Sequence, residues 1–183
     1  MGDPKKQRKK YSTPKHPWRR ERIEHDKLIL KEFGLKNKKE VWKMEHVLRM
    51  FRKQAKELKA SETEQSKKEQ KQLMERLTKL ALLTKDSALD EILTLDLHSV
   101  LNRRLQTLVV KRGFAKTMTQ SRQFIVHGHI CVNNKKMTSP SYLVPLSEEA
   151  SITFKTTSKL SNPDHPERVV QEKVPKIKSE KTE

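Results

Sequence analysis

The chain has 183 residues, with 41 Lys and Arg against 23 Asp and Glu, a formal net charge of +18 and a pI near 10.0. That excess repels itself in a compact state and favours a polyanion as partner, nucleic acid above all, because neutralised phosphates release counterions. Only 33% of residues are hydrophobic, which excludes a large core; no stretch reaches the roughly 18 apolar residues of a spanning helix, no secretory signal is expected, and the single Cys131 excludes an internal disulfide or a cysteine-cluster metal site.

Residues 1–20 hold eight basic residues, one acidic residue and Pro4, Pro14 and Pro17, and read as an extended basic arm. A helix follows, with Ile23, Leu30 and Phe33 on one face and Gly34-Leu35 as its stop. Asn37 with Glu40 reads as a loose capping box. Val41, Met44, Leu48, Phe51, Ala55 and Leu58 then repeat at spacings of three and four, one apolar stripe along about six turns. Ser61 with Glu64 suggests another start, and Leu73, Leu77 and Leu80 supply its stripe; residues 61–72 read equally as an exposed helix or a mobile connection. From Asp96 the character changes. Leu97, Leu101, Leu105 and Leu108 mark a helix ending near Gly113, and Thr117 with Gln120 caps a short helix running to Gly128. Gly34, Gly113 and Gly128 each fall where a helix should end. Thereafter the period is two: Ile130 and Val132 alternate with His129 and Cys131, Asn133-Asn134 is a turn pair, and a return strand runs through Met137. Tyr142 with Val144 and Ile152 with Phe154 suggest further strands. The expected fold is α+β: a basic arm (1–20), a helical domain (21–95), a small helix-helix-plus-β-hairpin module (96–157) and a flexible tail (158–183), with no internal repeat.

Between Asp96 and Glu148 lie 51 residues without an Asp or Glu. They carry Arg103, Arg104, Lys111, Arg112, Lys116, Arg122, Lys135 and Lys136, with His127 and His129 among them. An ordinary solvated surface mixes both signs, so a folded unit of this composition presents a positive patch suited to phosphate. Arg103 and Arg104 adjoin on one expected helix, and Arg122 stands near the start of the next; the planar fork of arginine suits phosphate. Free N–H groups at that helix start also favour an anion, with Thr119 and Ser121 as donors. Simple capping by Thr117 or Thr119 is the competing reading. In the arm, Lys9, Lys10, Lys15, Trp18, Arg19 and Arg20 are further candidates for RNA contact.

Several runs resemble a known family. Arg103-Arg104-Leu105-Gln106-Thr107, Ser121-Arg122-Gln123, Ile125, His127-Gly128-His129-Ile130, Val132-Asn133 and Pro140-Ser141-Tyr142 make residues 98–154 similar to the small RNA-binding module named after the fourth small-subunit ribosomal protein. Tyr11-Ser12-Thr13-Pro14, Pro17-Trp18, Glu21-Arg22, the run from Phe33 to Trp42 and the run from Arg52 to Leu58 resemble the archaeal and eukaryotic branch of that ribosomal protein family, so that the match covers about residues 8–156. The resemblance implies a non-catalytic, structural constituent of the cytoplasmic small ribosomal subunit. Such a protein binds the 5′ domain of small-subunit rRNA, nucleates assembly and contributes to translational accuracy near the channel through which mRNA enters. It touches the fifth small-subunit protein and other small-subunit proteins. The RNA face of the module maps by motif position onto Arg103, Arg104, Lys111, Ser121, Arg122, His127, His129 and Lys135. Some bacterial members carry a cysteine-rich zinc site near the N-terminus; no cysteine stands there in this chain, so no zinc is expected.

Other readings compete. Trp42 sits beside an apolar stripe, where core packing outweighs base stacking; for Trp18 the two stand level. His16, His25, His46 and His98 are scattered, and His127 with His129 is a poor start for a closed metal site. No glycine-rich phosphate loop and no catalytic constellation is present, so neither an enzyme, a cofactor nor a small-molecule substrate is expected. Prolines in the arm argue against a membrane-surface helix. The runner-up function is a related ribosome-assembly factor using the same module.

Overall fold

The computed structural model describes residues 2, 9–61, 63–84, 87–162 and 165–167. Its first helices are α1 (Arg20–Glu32) and α2 (Lys38–Ala60), joined across Gly34 at a φ of +55°. Asn37 caps α2, its side-chain oxygen accepting the Glu40 N–H at 3.2 Å. All six residues of the α2 stripe, from Val41 to Leu58, are buried. The next helix, α3 (Glu64–Lys79), starts on Thr63 rather than Ser61: the Thr63 hydroxyl accepts the Ser66 N–H at 3.2 Å, while Ser61 closes α2 and its carbonyl accepts the Ser66 hydroxyl at 2.8 Å. The polar run after Thr63 is therefore helix, with Leu73 and Leu77 turned inward. Short helices α4 (Glu91–Thr94) and α5 (Leu97–Asn102) complete a first core that extends from Ile29 to Leu101.

The helix expected from Leu97 to Gly113 is two. Arg103 ends α5, Arg104 is extended at φ −70° and ψ 143°, and α6 runs Leu105–Lys111. The cause lies elsewhere in the chain. The Leu105 N–H donates to the Tyr142 carbonyl at 2.8 Å, and the Arg103 carbonyl accepts the Val144 N–H at 3.0 Å, so a bridge of Arg104 with Leu143 replaces helical bonds at the break. Tyr142 and Val144, expected to form a strand, supply that one bridge. The segment also straddles the two cores: Leu143 packs on the first, Tyr142 and Val144 on the second.

Helix α7 (Met118–Val126) begins at Thr117, whose hydroxyl accepts the Gln120 N–H at 3.1 Å. Strand β1 (Ile130–Val132) turns through Asn133 and Asn134, at φ +50° and +60°, into β2 (Lys135–Lys136), a two-residue hairpin whose twist suits positive φ at both positions. After helix α8 (Leu146–Glu149), strand β3 (Ile152–Phe154) pairs with the other side of β1, giving an antiparallel sheet of order β2-β1-β3. The architecture is the expected α+β. Residues 158–162, assigned from sequence to a tail, depart from that reading: a 3-10 turn at Lys159–Ser161 buries Leu160 in the second core. Pro163, Asp164 and residues 168–183 lie outside the described residues. Among the described residues no helix is long and apolar enough to cross a membrane, and no group of three or more His, Cys, Asp or Glu could hold a metal.

The halves meet at Gly34. A Cβ there would lie 2.6 Å from Met118 Cβ and 3.1 Å from Gln106 Nε2, the amide that donates to the carbonyls of Phe33, Gly34 and Met118. Gly34→Ala combines a positive φ with this collision and is expected to destabilise the chain by about 2–3 kcal/mol. Thermal unfolding of the variant checks this; an unchanged midpoint would mean that the halves do not need this close approach.

Candidate nucleic-acid interface

Each of the four arginines of the acid-free stretch meets a carboxylate from outside it. Arg104 Nη2 lies 2.7 Å from Glu40 Oε2, and Arg122 Nη2 lies 2.7 Å from Glu40 Oε1, so one carboxylate at the start of α2 holds two guanidinium groups. Arg103 Nη1 lies 2.9 Å from Glu149 Oε2 and its Nη2 donates to the Val144 carbonyl at 3.0 Å, while Arg112 Nη2 approaches Glu149 Oε1 at 3.7 Å. The Arg104 side chain is 1% exposed and Glu40 15%. A fork that matches carboxylate geometry fits arginine for this internal role. Burial raises the pKa of Glu40, but hydrogen bonds and charge from Arg122 and Arg104 outweigh it and hold the carboxyl below its ordinary value.

Two expected site residues are thereby corrected. Arg104 is buried and committed to Glu40, and cannot reach a phosphate without opening the seam between the cores. Ser121 is fully buried and donates its hydroxyl to the Gln106 carbonyl at 2.7 Å. Arg103 and Arg122 remain partly accessible, each already paired. The α7 start is also taken by its own chain: Gln120 Oε1 accepts the Lys116 N–H at 2.7 Å, and Gln120 Nε2 donates to Glu167 Oε2 at 2.7 Å. Thr117 caps and Thr119 is exposed, so the structure follows the capping reading there.

The four lysines behave differently. Lys111, Lys116, Lys135 and Lys136 are all exposed, and none makes an ion pair among the described residues. His127 is exposed as well. His129 is half-buried with Nδ1 2.9 Å from Ser158 Oγ, and burial, then His127, Lys136 and Lys155, push its pKa below the ordinary histidine value. Exposed lysines thus contrast with Arg103, Arg104 and Arg122, whose guanidinium groups are held at carboxylates, while Arg112 is exposed and only approaches Glu149.

In the arm, Lys9, Lys10, Lys15, Arg19 and Arg20 are exposed, and Trp18 is 88% exposed. Arg19 and Arg20 pair with Glu21 at 2.9 Å and Glu24 at 2.8 Å in full solvent, where such pairs contribute little. The arm is laid on α2: the Tyr11 and Trp42 rings are 6.2 Å apart, and Arg49 Nη1 donates to Ser12 Oγ at 2.6 Å. Trp42 also packs against the first core, the reading favoured from sequence. Sequence reasoning missed Glu40 and Glu149 as partners of the arginines, and Lys155, Lys159 and His165 as neighbours of the hairpin. Glu40 stood in view only as a capping residue, and no local pattern ties it to an arginine 64 residues away.

Comparison with known proteins bears on this geometry. Residues 103–149 match the S4 domain family. Over 169 residues the chain is 51% identical to small ribosomal subunit protein uS4 of Methanococcus aeolicus, covering 92% of this chain and 96% of that one. The proteins of the same name from Methanococcus maripaludis strain C7 and Methanococcus vannielii are each 50% identical over 169 residues, covering 92% of this chain and 95% of each of those. With relatives this similar along almost its whole length, and with the S4 domain lying where the arginine-tied module and its exposed lysines are found, the chain belongs to the uS4 family of small ribosomal subunit proteins.

Proposed function

We infer that this chain is a structural, non-catalytic component of the cytoplasmic small ribosomal subunit that binds small-subunit rRNA. The observation that carries the reading is the division of labour in the acid-free stretch. Arg103, Arg104 and Arg122 are drawn inward by Glu40 and Glu149, while Lys111, Lys116, Lys135 and Lys136 face solvent without a carboxylate partner among the described residues. A face of this kind favours phosphate and sugar contacts and RNA shape over base edges. Family membership supports the finer reading. The RNA contacted is the 5′ domain of small-subunit rRNA, binding there nucleates assembly, and the seated protein contributes to accuracy near the channel where mRNA enters, against the fifth small-subunit protein and other proteins of the subunit. The helical half and the module act as two units on one RNA, with the arm as a third contact.

The test is binding of the purified full chain to small-subunit rRNA as salt rises, paired with cosedimentation. Affinity is expected to fall steeply and linearly on a log–log plot, and the protein is expected in mature subunits. A flat salt response would overturn phosphate neutralisation, and presence only in precursor particles would identify an assembly factor instead.

A further inference from the structure

His129 leads into β1, and its carbonyl accepts the Lys155 N–H at 2.8 Å, which sets the end of β3 beside it. The chain then turns back. The Ser158 N–H donates to the Lys155 carbonyl at 2.9 Å, Ser158 Oγ meets His129 Nδ1 at 2.9 Å, and Leu160 anchors the returning segment in the second core. Between this segment and the hairpin lies an open cleft of about 540 Å³. Lys136, Lys155 and Lys159 are among its lining residues, with His127, His129 and His165. No carboxylate is among the described lining residues; Asp164 lies outside the described residues.

Gly128, at φ +74°, lines the cleft, and the end of the Lys136 side chain lies against it. The His127 and His129 rings stack at 6.3 Å with 26° between their planes. His129 is held towards its neutral form by burial and by the cations around it. Several positive groups converge here without an internal counter-charge among the described residues, a field that an entering anion would relieve.

We propose that this cleft seats a backbone phosphate of the bound RNA, which makes Lys155, Lys159 and His165 working parts of the RNA-binding surface beyond the 103–149 segment matched to the S4 domain. The proposal rests on the reading of the chain as an RNA-binding protein. Lys155 and Lys159 flank the turn that carries Ser158, so a strand crossing the hairpin at Lys135 and Lys136 meets two further ammonium groups on the opposite wall. Lysine suits this place as a mobile point charge that follows a phosphate without a fixed fork.

The experiment compares three full-length chains binding small-subunit rRNA across a salt series. They are the unaltered protein, Lys155→Ala with Lys159→Ala, and Lys67→Ala with Lys68→Ala on the exposed face of α3 as a control of equal charge. All four lysines are exposed, so the folds should match, which far-ultraviolet circular dichroism verifies. The cleft variant is expected to lose about tenfold in affinity near physiological salt, and the salt slope to fall by about 1.5, as for two lost phosphate contacts; the control should keep the parental slope. An unaltered slope in the cleft variant, or an equal fall in both variants, overturns the cleft while leaving RNA binding intact. Absence of salt-dependent binding by the unaltered protein would overturn the underlying reading, and the cleft with it.

Discussion

Glu40→Ala should lower the stability of the folded chain by about 3–5 kcal/mol, the cost of stripping the partner from a buried charge. Arg104 makes the effect large. Its Nε and Nη1 are buried without a hydrogen-bond partner among the described residues, and its Nη2 donates to Glu40, so the substitution leaves a guanidinium that is 1% exposed with no counter-charge beside it among those residues. Arg122 loses the same partner at the same time. For a chain of this size the loss corresponds to a fall of roughly 10 °C in the unfolding midpoint. Glu40→Gln keeps an acceptor but not the charge and should fall between the two. The pH dependence follows from the sign of the shift. The Glu40 carboxyl is held below its ordinary value in the folded chain, so its contribution is fully present above the unfolded value and is lost as pH falls through the lowered folded one. The difference between parent and Glu40→Ala should therefore be widest near neutral pH and shrink in acid. Calorimetry at pH 7 and near pH 3 checks both parts; a variant within about 1 kcal/mol of the parent at pH 7 would mean that solvent screens the pair.

The second large effect concerns binding. Lys111→Ala, Lys116→Ala and Lys135→Ala together should weaken rRNA binding about a hundredfold near physiological salt and lower the salt slope by about 2–3, three phosphate contacts' worth. The unfolding midpoint should barely move, because all three side chains are exposed and none belongs to an ion pair among the described residues. Arg103→Ala should behave in the opposite way. It removes a half-buried bond to Glu149 and one to the Val144 carbonyl, so stability falls first and binding falls only as the module loosens. Measuring both quantities on both variants separates cations that hold the fold from cations that face a ligand. A stable Arg103→Ala protein with binding as weak as the lysine variant would place that arginine on the RNA instead.

How far the sequence reveals this depends on how local each cause is. Asn37 and Thr117 were legible as caps because a cap is decided within three residues. Gly34, Gly113 and Gly128 were legible as stops because each takes a positive φ that other residues resist. The α2 stripe and the Asn133-Asn134 hairpin follow from periods of 3.6 and 2. The break at Arg103 and Arg104 was not legible. Leu97, Leu101, Leu105 and Leu108 keep helical spacing across it, and what divides the helix is a bridge to Leu143, far along the chain. The same distance hid the arginine partners: Glu149 lies 46 residues from Arg103, outside the acid-free stretch that made the arginines look free. That stretch marked lysines and arginines alike, and composition could not show which cations the fold would keep for itself. The polar residues after Lys155 hid Leu160, a lone apolar side chain that no periodicity marks and that nevertheless draws its segment onto the second core.

Exposed lysines of the module, rather than its paired arginines, should lie against RNA in the assembled particle. A photoreactive side chain placed singly at Lys111, at Lys135 and at Lys68, followed by assembly of each protein into small subunits and mapping of the adducts, reads this out. Covalent links to rRNA are expected from the first two positions and few or none from Lys68 on α3. Links from Lys68 alone, with Lys111 and Lys135 attached only to protein or to nothing, would contradict that placement.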